Sequence, residues 1–347
     1  MRRPLAAVWR REAGAAAYHA QASRPLARRP ASRYHHRVSF LSRLLATPRE
    51  PRGVALALGG GGARGLAHLG VLSVLEAEGI PVACLVGTSA GAVVGAMWTT
   101  LGSAGAVAAR WREFLASELP KTLPDVKLAE DVSSRDSTIL QFARTVRRGT
   151  TVALALGRRS LVEHEDLQRA LAFLLPEARV EDLHPPFAAV ATDFFSGRPV
   201  VIRHGSLRAA VAASSTVPGV LPPFPLDGAW LLDGGVVAEV PVREALAMSA
   251  RPVVAVDVSD LPGDDAPDTI KVPRAILRAG QFTEAALRRE LLRDADLVIR
   301  PAVGGIHWSE FFRAEEAVTA GREAATAAAA AVRRLAGLRR RPPRRSA

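Results

Sequence analysis

The chain holds 347 residues, 48% of them hydrophobic, which is enough to bury a substantial core and excludes a globally disordered protein. Its single cysteine, Cys84, excludes a disulfide framework, a zinc ribbon and dithiol chemistry, and fits a reducing, cytoplasmic setting. Of the +12 net charge, residues 1–50 carry +9 and residues 333–347 carry +7, which leaves residues 51–332 at −4. The basicity therefore sits in two arginine-rich tails around a mildly acidic body, and no specific nucleic-acid partner is expected.

Residues 1–52 read as an arginine-rich, disordered leader. No uninterrupted apolar run marks a secretory signal, and the composition fits either a transit peptide or translation from upstream of the true start. Within it, Val38, Phe40, Leu41, Leu44 and Leu45 alternate with Arg37, Arg43 and Arg49 in a pattern suited to a short amphipathic helix on an anionic membrane surface. The folded body is expected over 53–335, with a core over 53–250, an extension over 251–335 and a basic tail over 336–347.

Val54–Leu58 is a continuous apolar run, as expected of a strand buried on both faces of a sheet. A glycine loop follows, then a helix carrying Ala67, Leu69, Val71, Leu72, Val74 and Leu75, closed by Gly79. A second short apolar run, residues 80–86, leads to Gly87-Thr88-Ser89-Ala90-Gly91 and a further apolar helix. This order is a βαβα unit with parallel strands. The uncharged stretch 85–109 has the length of a membrane span, but its glycine, serine and threonine content favours a buried helix and a turn around 102–105.

The region 117–176 reads as an irregular lid or lipid-contact surface, with a helix over 163–175 whose Leu167, Ala170, Leu171 and Leu174 share a face. A hairpin is expected from 187–192 and 199–202 across Ser196-Gly197. A helix over 207–214, strands at 230–232, 253–258 and 297–301, and an alanine-rich helix over 315–332 complete the body.

Two glycine-rich turns carry chemistry. Gly60-x-Gly62-x-x-Gly65 fits a dinucleotide fingerprint by letter, but no acid ends the second strand, and no Gly-Lys-Ser/Thr follows for a phosphate loop. Consecutive glycines can instead turn backbone N–H groups toward one oxygen, as an oxyanion hole requires. Gly87-x-Ser89-x-Gly91, between an apolar strand and an apolar helix, places a serine on a strained elbow at a helix N-terminus. The histidines are poor bases for it. His19, His35 and His36 lie in the leader, and His68 reads as an ordinary helix residue. Only His307 follows the acid in the chain order of an α/β-hydrolase. Asp233, after a strand and before Gly234-Gly235, is the better candidate, because burial in an apolar pocket would raise its basicity.

Gly60-Gly61-Gly62-Ala63-Arg64-Gly65, Gly87-Thr88-Ser89-Ala90-Gly91 and Asp233-Gly234-Gly235, with the proline-containing block 213–223 between them, resemble the motifs of the patatin-like phospholipases. The segments 295–301 and 313–322 resemble bacterial members related to the catalytic domain of neuropathy target esterase. The resemblance spans about 53–335. It implies a three-layer α/β/α fold with a mostly parallel central sheet. It also implies a serine acyl hydrolase of phospholipase A, lysophospholipase or esterase type, without metal or cofactor, acting on a lipid ester. Ser89 would be the nucleophile, Asp233 the proton acceptor, and Gly60, Gly61 and Gly62 the oxyanion hole. Arg64, Gly65, Gly87, Gly91, Gly234 and Gly235 would support them. One departure is Ala238-Glu239, where many relatives carry asparagine. A cytoplasmic location, with peripheral membrane contact, follows from this reading. The competing functions are a non-catalytic nucleotide-binding module using Gly60–Gly65 and a nucleic-acid binder using the arginine tails.

Overall fold

The computed structural model describes residues 53–122, 163–259 and 272–338. The leader, its amphipathic segment, most of the basic tail and most of the region read as a lid lie outside the described residues. In chain order the elements are β1 (Val54–Leu58), α1 (Ala67–Ala77), β2 (Val82–Thr88), α2 (Ala90–Leu101), α3 (Ala104–Ala116) and α4 (His164–Leu174). There follow β3 (Phe187–Asp193), β4 (Pro199–Ile202), α5 (Leu207–Ser214), β5 (Phe224–Leu226) and β6 (Ala229–Asp233). The last are α6 (Val242–Met248), β7 (Val253–Val256), α7 (Val272–Leu291), β8 (Leu297–Ile299) and α8 (Ala314–Leu335).

All five residues of β1 are buried, as a run with no polar face must be. It pairs in parallel with β2 on one edge and β7 on the other; β2–β3 and β7–β8 are also parallel. Side chains alternate across the sheet. Ala55, Ala57, Val86, Ala188 and Val190 face a core closed by Val242 and Ala245 of α6. Leu56, Leu58, Leu85, Ala189 and Val254 face a larger core closed by α1, α2, α5 and α8. The result is helix, mixed sheet and helix in three layers, as the sequence implied.

The antiparallel part of the sheet decides the geometry of the site. Backbone groups of successive strand residues point to opposite edges. In β3 the Pro186 carbonyl accepts from Leu85 of β2 and the Phe194 N–H donates to Trp230, while the Asp193 N–H donates to Arg198 on the β4 side. β2 and β6 therefore lie end to end along one edge of β3. β2 pairs with Phe187–Val190 and then turns away; β6 pairs with Ala191–Asp193 in the place it vacates.

The stretch 85–109 is a strand and a bent helix pair. Gly102 ends α2 in the left-handed conformation, and α3 leaves at 117°. Among the described residues no single helix is long and apolar enough to cross a membrane. The helices α3 and α7 were not anticipated.

On the large-core side α1 and α8 cross at glycines. A Cβ on Gly321 would lie 1.9 Å from the Ala67 carbonyl oxygen. Alanine normally favours a helix interior over glycine by about 0.5–1 kcal/mol, but here overpacking costs about 1–3 kcal/mol. Gly321→Ala is therefore expected to lower the thermal midpoint. A higher midpoint would mean that the crossing relaxes freely.

Candidate active site

Ser89 caps α2 with φ 52° and ψ −120°, a backbone state costing about 1–3 kcal/mol that needs its surroundings to hold it. Two contacts do so. The Ser89 N–H donates to the Ser214 hydroxyl at 2.9 Å, and that hydroxyl donates in turn to the Val190 carbonyl at 2.6 Å. Val190 is the last β3 residue paired with β2, so one buried serine ties the elbow to the point where β2 departs. Gly91 lets the elbow pass close to β1: a Cβ there would meet the Leu58 carbonyl oxygen at 2.3 Å.

Asp233 ends β6 beside this elbow. Its N–H donates to the Thr216 carbonyl at 2.8 Å, and its own carbonyl accepts from the Thr192 hydroxyl at 3.0 Å. Gly234 follows because a Cβ would sit 2.2 Å from the Val190 carbonyl oxygen. Asp233 Oδ1 accepts from the Gly235 N–H at 2.7 Å, while Oδ2 is buried with no hydrogen bond of ordinary geometry. The Ser89 hydroxyl is nevertheless near enough to pull the carboxyl's pKa down. Burial outweighs it, with a small push from the charge of Glu284, and the pKa rises from 3.8 to about 6.

The glycine loop faces the elbow, with a Cβ built on Gly60 only 3.5 Å from Ser89 Cβ. Its amides are not equivalent. Gly59 N–H donates to Val256 at 3.1 Å, Gly60 N–H to the Glu239 carbonyl at 2.8 Å, and Ala63 N–H to the Trp308 carbonyl at 2.7 Å. Gly60 is thus no free donor, which corrects the expectation that it shares in an oxyanion hole. The N–H groups of Gly61 and Gly62 are unengaged among the described residues and border the same cavity as Ser89. The Trp308 carbonyl covers the helix start where a nucleotide phosphate would sit.

His68 does more than fill a helix. It is fully buried beneath the loop, with Nε2 2.8 Å from the Gly59 carbonyl oxygen, so the ring is neutral and donates there. Burial lowers its pKa to about 4. His307 is engaged with the Ser309 hydroxyl at 2.8 Å and does not line the cavity. Arg64 lines it. Glu239 is buried and paired with Arg288 of α7 at 3.0 Å; burial pushes its carboxyl up against the pull of that guanidinium. The departure at this position is therefore a filled one: the Glu239 carbonyl holds Gly60 and its side chain binds α7. Only the three-dimensional fold brings Glu239, Arg288 and Ser214 to the site. Ser214 had a sequence signal inside the proline-containing block and Glu239 one as a departure from the family pattern, while Arg288 had none.

Ser89, Asp233 and the loop share a cavity of about 1420 Å³, whose far wall is apolar, with Trp111, Phe114, Leu171 and Leu174. The family model described as patatin-like phospholipase matches residues 56–246. The chain belongs to the patatin-like phospholipase family. Patatin-like phospholipase domain-containing protein 6 of Mus musculus is 35% identical over 207 residues, 59% of this chain and 13% of that protein. An NTE family protein of Mycobacterium bovis is 32% identical over 210 residues, 60% of this chain and 50% of that one. The match thus spans half or less of these relatives' lengths. Among solved structures, VipD from Legionella pneumophila overlaps with a TM-score of 0.44 at 15% identity, covering 83% of this chain and 67% of that one.

Ser214→Ala removes the acceptor of one buried N–H and the donor to one buried carbonyl. Unsatisfied buried groups cost about 1–3 kcal/mol each, so the variant is expected to unfold at lower urea. An unchanged midpoint would show that the elbow holds without this bridge.

Proposed function

We propose that this protein is a serine acyl hydrolase of lipid esters, with Ser89 as nucleophile and Asp233 as its base. The observation that carries the reading is a buried carboxylate of raised pKa facing a strained serine in an apolar cavity. Membership of the family supports lipid acyl hydrolysis. Asp233 takes the Ser89 proton as the hydroxyl oxygen attacks the ester carbonyl. The Gly61 and Gly62 N–H groups, with the α2 N-terminus, stabilise the oxyanion. Collapse expels the alcohol, which recovers the proton from Asp233. Water, deprotonated by the same carboxylate, then releases the acid from Ser89. The apolar wall receives the acyl chain. Peripheral contact of the arginine-rich leader with an anionic membrane belongs to the same proposal.

A fluorophosphonate probe is expected to label the wild type and not Ser89→Ala; equal labelling would sink the assignment. Asp233→Asn is expected to lower kcat/KM by about 100- to 10,000-fold.

The base must be ionised, so kcat/KM should climb with pH through about 6 and level off above it. Stability carries the opposite sign. A carboxyl whose pKa is raised by folding is favoured in its protonated form, so native stability falls as pH rises from 3.8 through about 6. Asp233→Asn should therefore melt higher than wild type at neutral pH, by up to about 3 kcal/mol. A variant that is inactive and less stable would point to lost folding rather than lost chemistry.

A further inference from the structure

The parallel strands all end on the side of the sheet where the cavity opens. Val190 is level with Thr88, so Ala191 is level with Ser89. Phe194 lies three residues further on, about 10 Å past Ser89 along the strand direction at ~3.3 Å per residue. Two hairpin turns project there side by side, one joining β3 to β4 and one joining β5 to β6. Aromatic side chains stand exposed at or beside these turns. Phe195 is 72% exposed, and Phe194 and Trp230 about half exposed, with the two phenylalanine rings stacked edge to face at 5.2 Å. Exposed Pro225 is the cross-strand neighbour of Trp230.

Nothing in the fold needs these aromatic side chains in water. Exposing a cluster of three is costly unless something covers them. At the cavity mouth Val236, Leu287 and Phe312 line the opening and are themselves exposed, Phe312 at 78%. On α7, Arg278 lies over the exposed Phe282 ring at 4.8 Å, and Arg289 is exposed. At the hairpin tips Arg198 is exposed, Asp227 is exposed, and Asp193 is turned inward to Ser196 at 2.7 Å. Exposed aromatic side chains at one level, with Arg198 on the same hairpin, suit the boundary between acyl chains and anionic headgroups.

We propose that the paired hairpin tips, through Phe194, Phe195 and Trp230, dock this protein on a lipid surface with the cavity mouth facing the lipid. The inference rests on the lipid-ester reading of the site. In this pose a lipid passes from the bilayer into the cavity along the Val236, Leu287 and Phe312 rim without crossing water. The occupant is a lipid surface rather than a protein, because the hairpins project from the same end of the sheet as Ser89 and Asp233, where a lipid ester must enter.

The test uses the full chain with phosphatidylcholine vesicles containing a minor phosphatidylglycerol fraction, sedimented at high ionic strength. Near 1 M salt the Debye length is about 3 Å, so binding through the arginine-rich tails is suppressed and apolar docking remains. The wild type is expected to sediment with vesicles, and the emission assigned to Trp230, by difference from Trp230→Phe, to shift to the blue. Phe194→Ser combined with Phe195→Ser should weaken vesicle binding at least about 10-fold and slow hydrolysis of vesicle lipid in proportion. Turnover of a monomeric short-chain ester should stay at the wild-type rate.

Equal vesicle binding by the double variant overturns the proposal, as does failure of the wild type to bind at high salt. Parallel loss of monomeric-ester turnover overturns it too, because the residues would then be supporting the site. A dimer abolished by the double variant with vesicle binding intact would assign the patch to self-association instead. Vesicle binding by a wild type that hydrolyses no ester would leave the docking surface standing and refute the hydrolase reading.

Discussion

The site depends on β2 and β6 occupying the same edge of β3, one after the other. A strand can have only one neighbour at each point along an edge. β6 can enter only where β2 has left, and β2 leaves because the chain turns sharply at Ser89. The strained elbow and the arrival of Asp233 are therefore one event. The Val190 carbonyl marks the junction: it accepts from Ser214, which holds the elbow, and it leaves room beside it only for Gly234. Distance between the two side chains is set by sheet register rather than by flexible contacts, and register slips only in whole residues.

That arrangement explains the division between what the sequence disclosed and what it hid. Val54–Leu58, Phe187–Asp193 and Val253–Val256 were legible because continuous apolar runs have one comfortable environment, the middle of a covered sheet. The elbow was legible because its glycines and serine are local. The direction of each loop amide was not. Gly60 looks like its neighbours in the sequence, and only the Glu239 carbonyl, 179 residues away, takes its N–H out of use. His68 was read as a helix residue because nothing nearby in the chain announces that Gly59 lies above it. The helix α7 was missed because much of it is exposed, and its buried Arg288 makes sense only opposite Glu239 and Asp257.

The Glu239–Arg288 pair illustrates how one position serves two layers. Its main chain fixes a loop glycine and its side chain anchors a helix that borders the cavity mouth. Removing one partner from a buried pair strands the other charge, so the two residues constrain each other more than either stabilises the fold.

The neutral ring of His68 beneath the glycine loop has a consequence for behaviour in acid. Folding lowers its pKa from 6.5 to about 4, so between those values the unfolded chain holds one proton more at this residue. Folding raises Asp233 from 3.8 to about 6, so there the native chain holds one proton more. Each alone would tilt stability by roughly 3 kcal/mol over that interval; together their proton inventories nearly cancel between pH 4 and 6. Moderate acid can then neutralise the carboxylate beside Ser89 without these two groups adding a net pull on the fold.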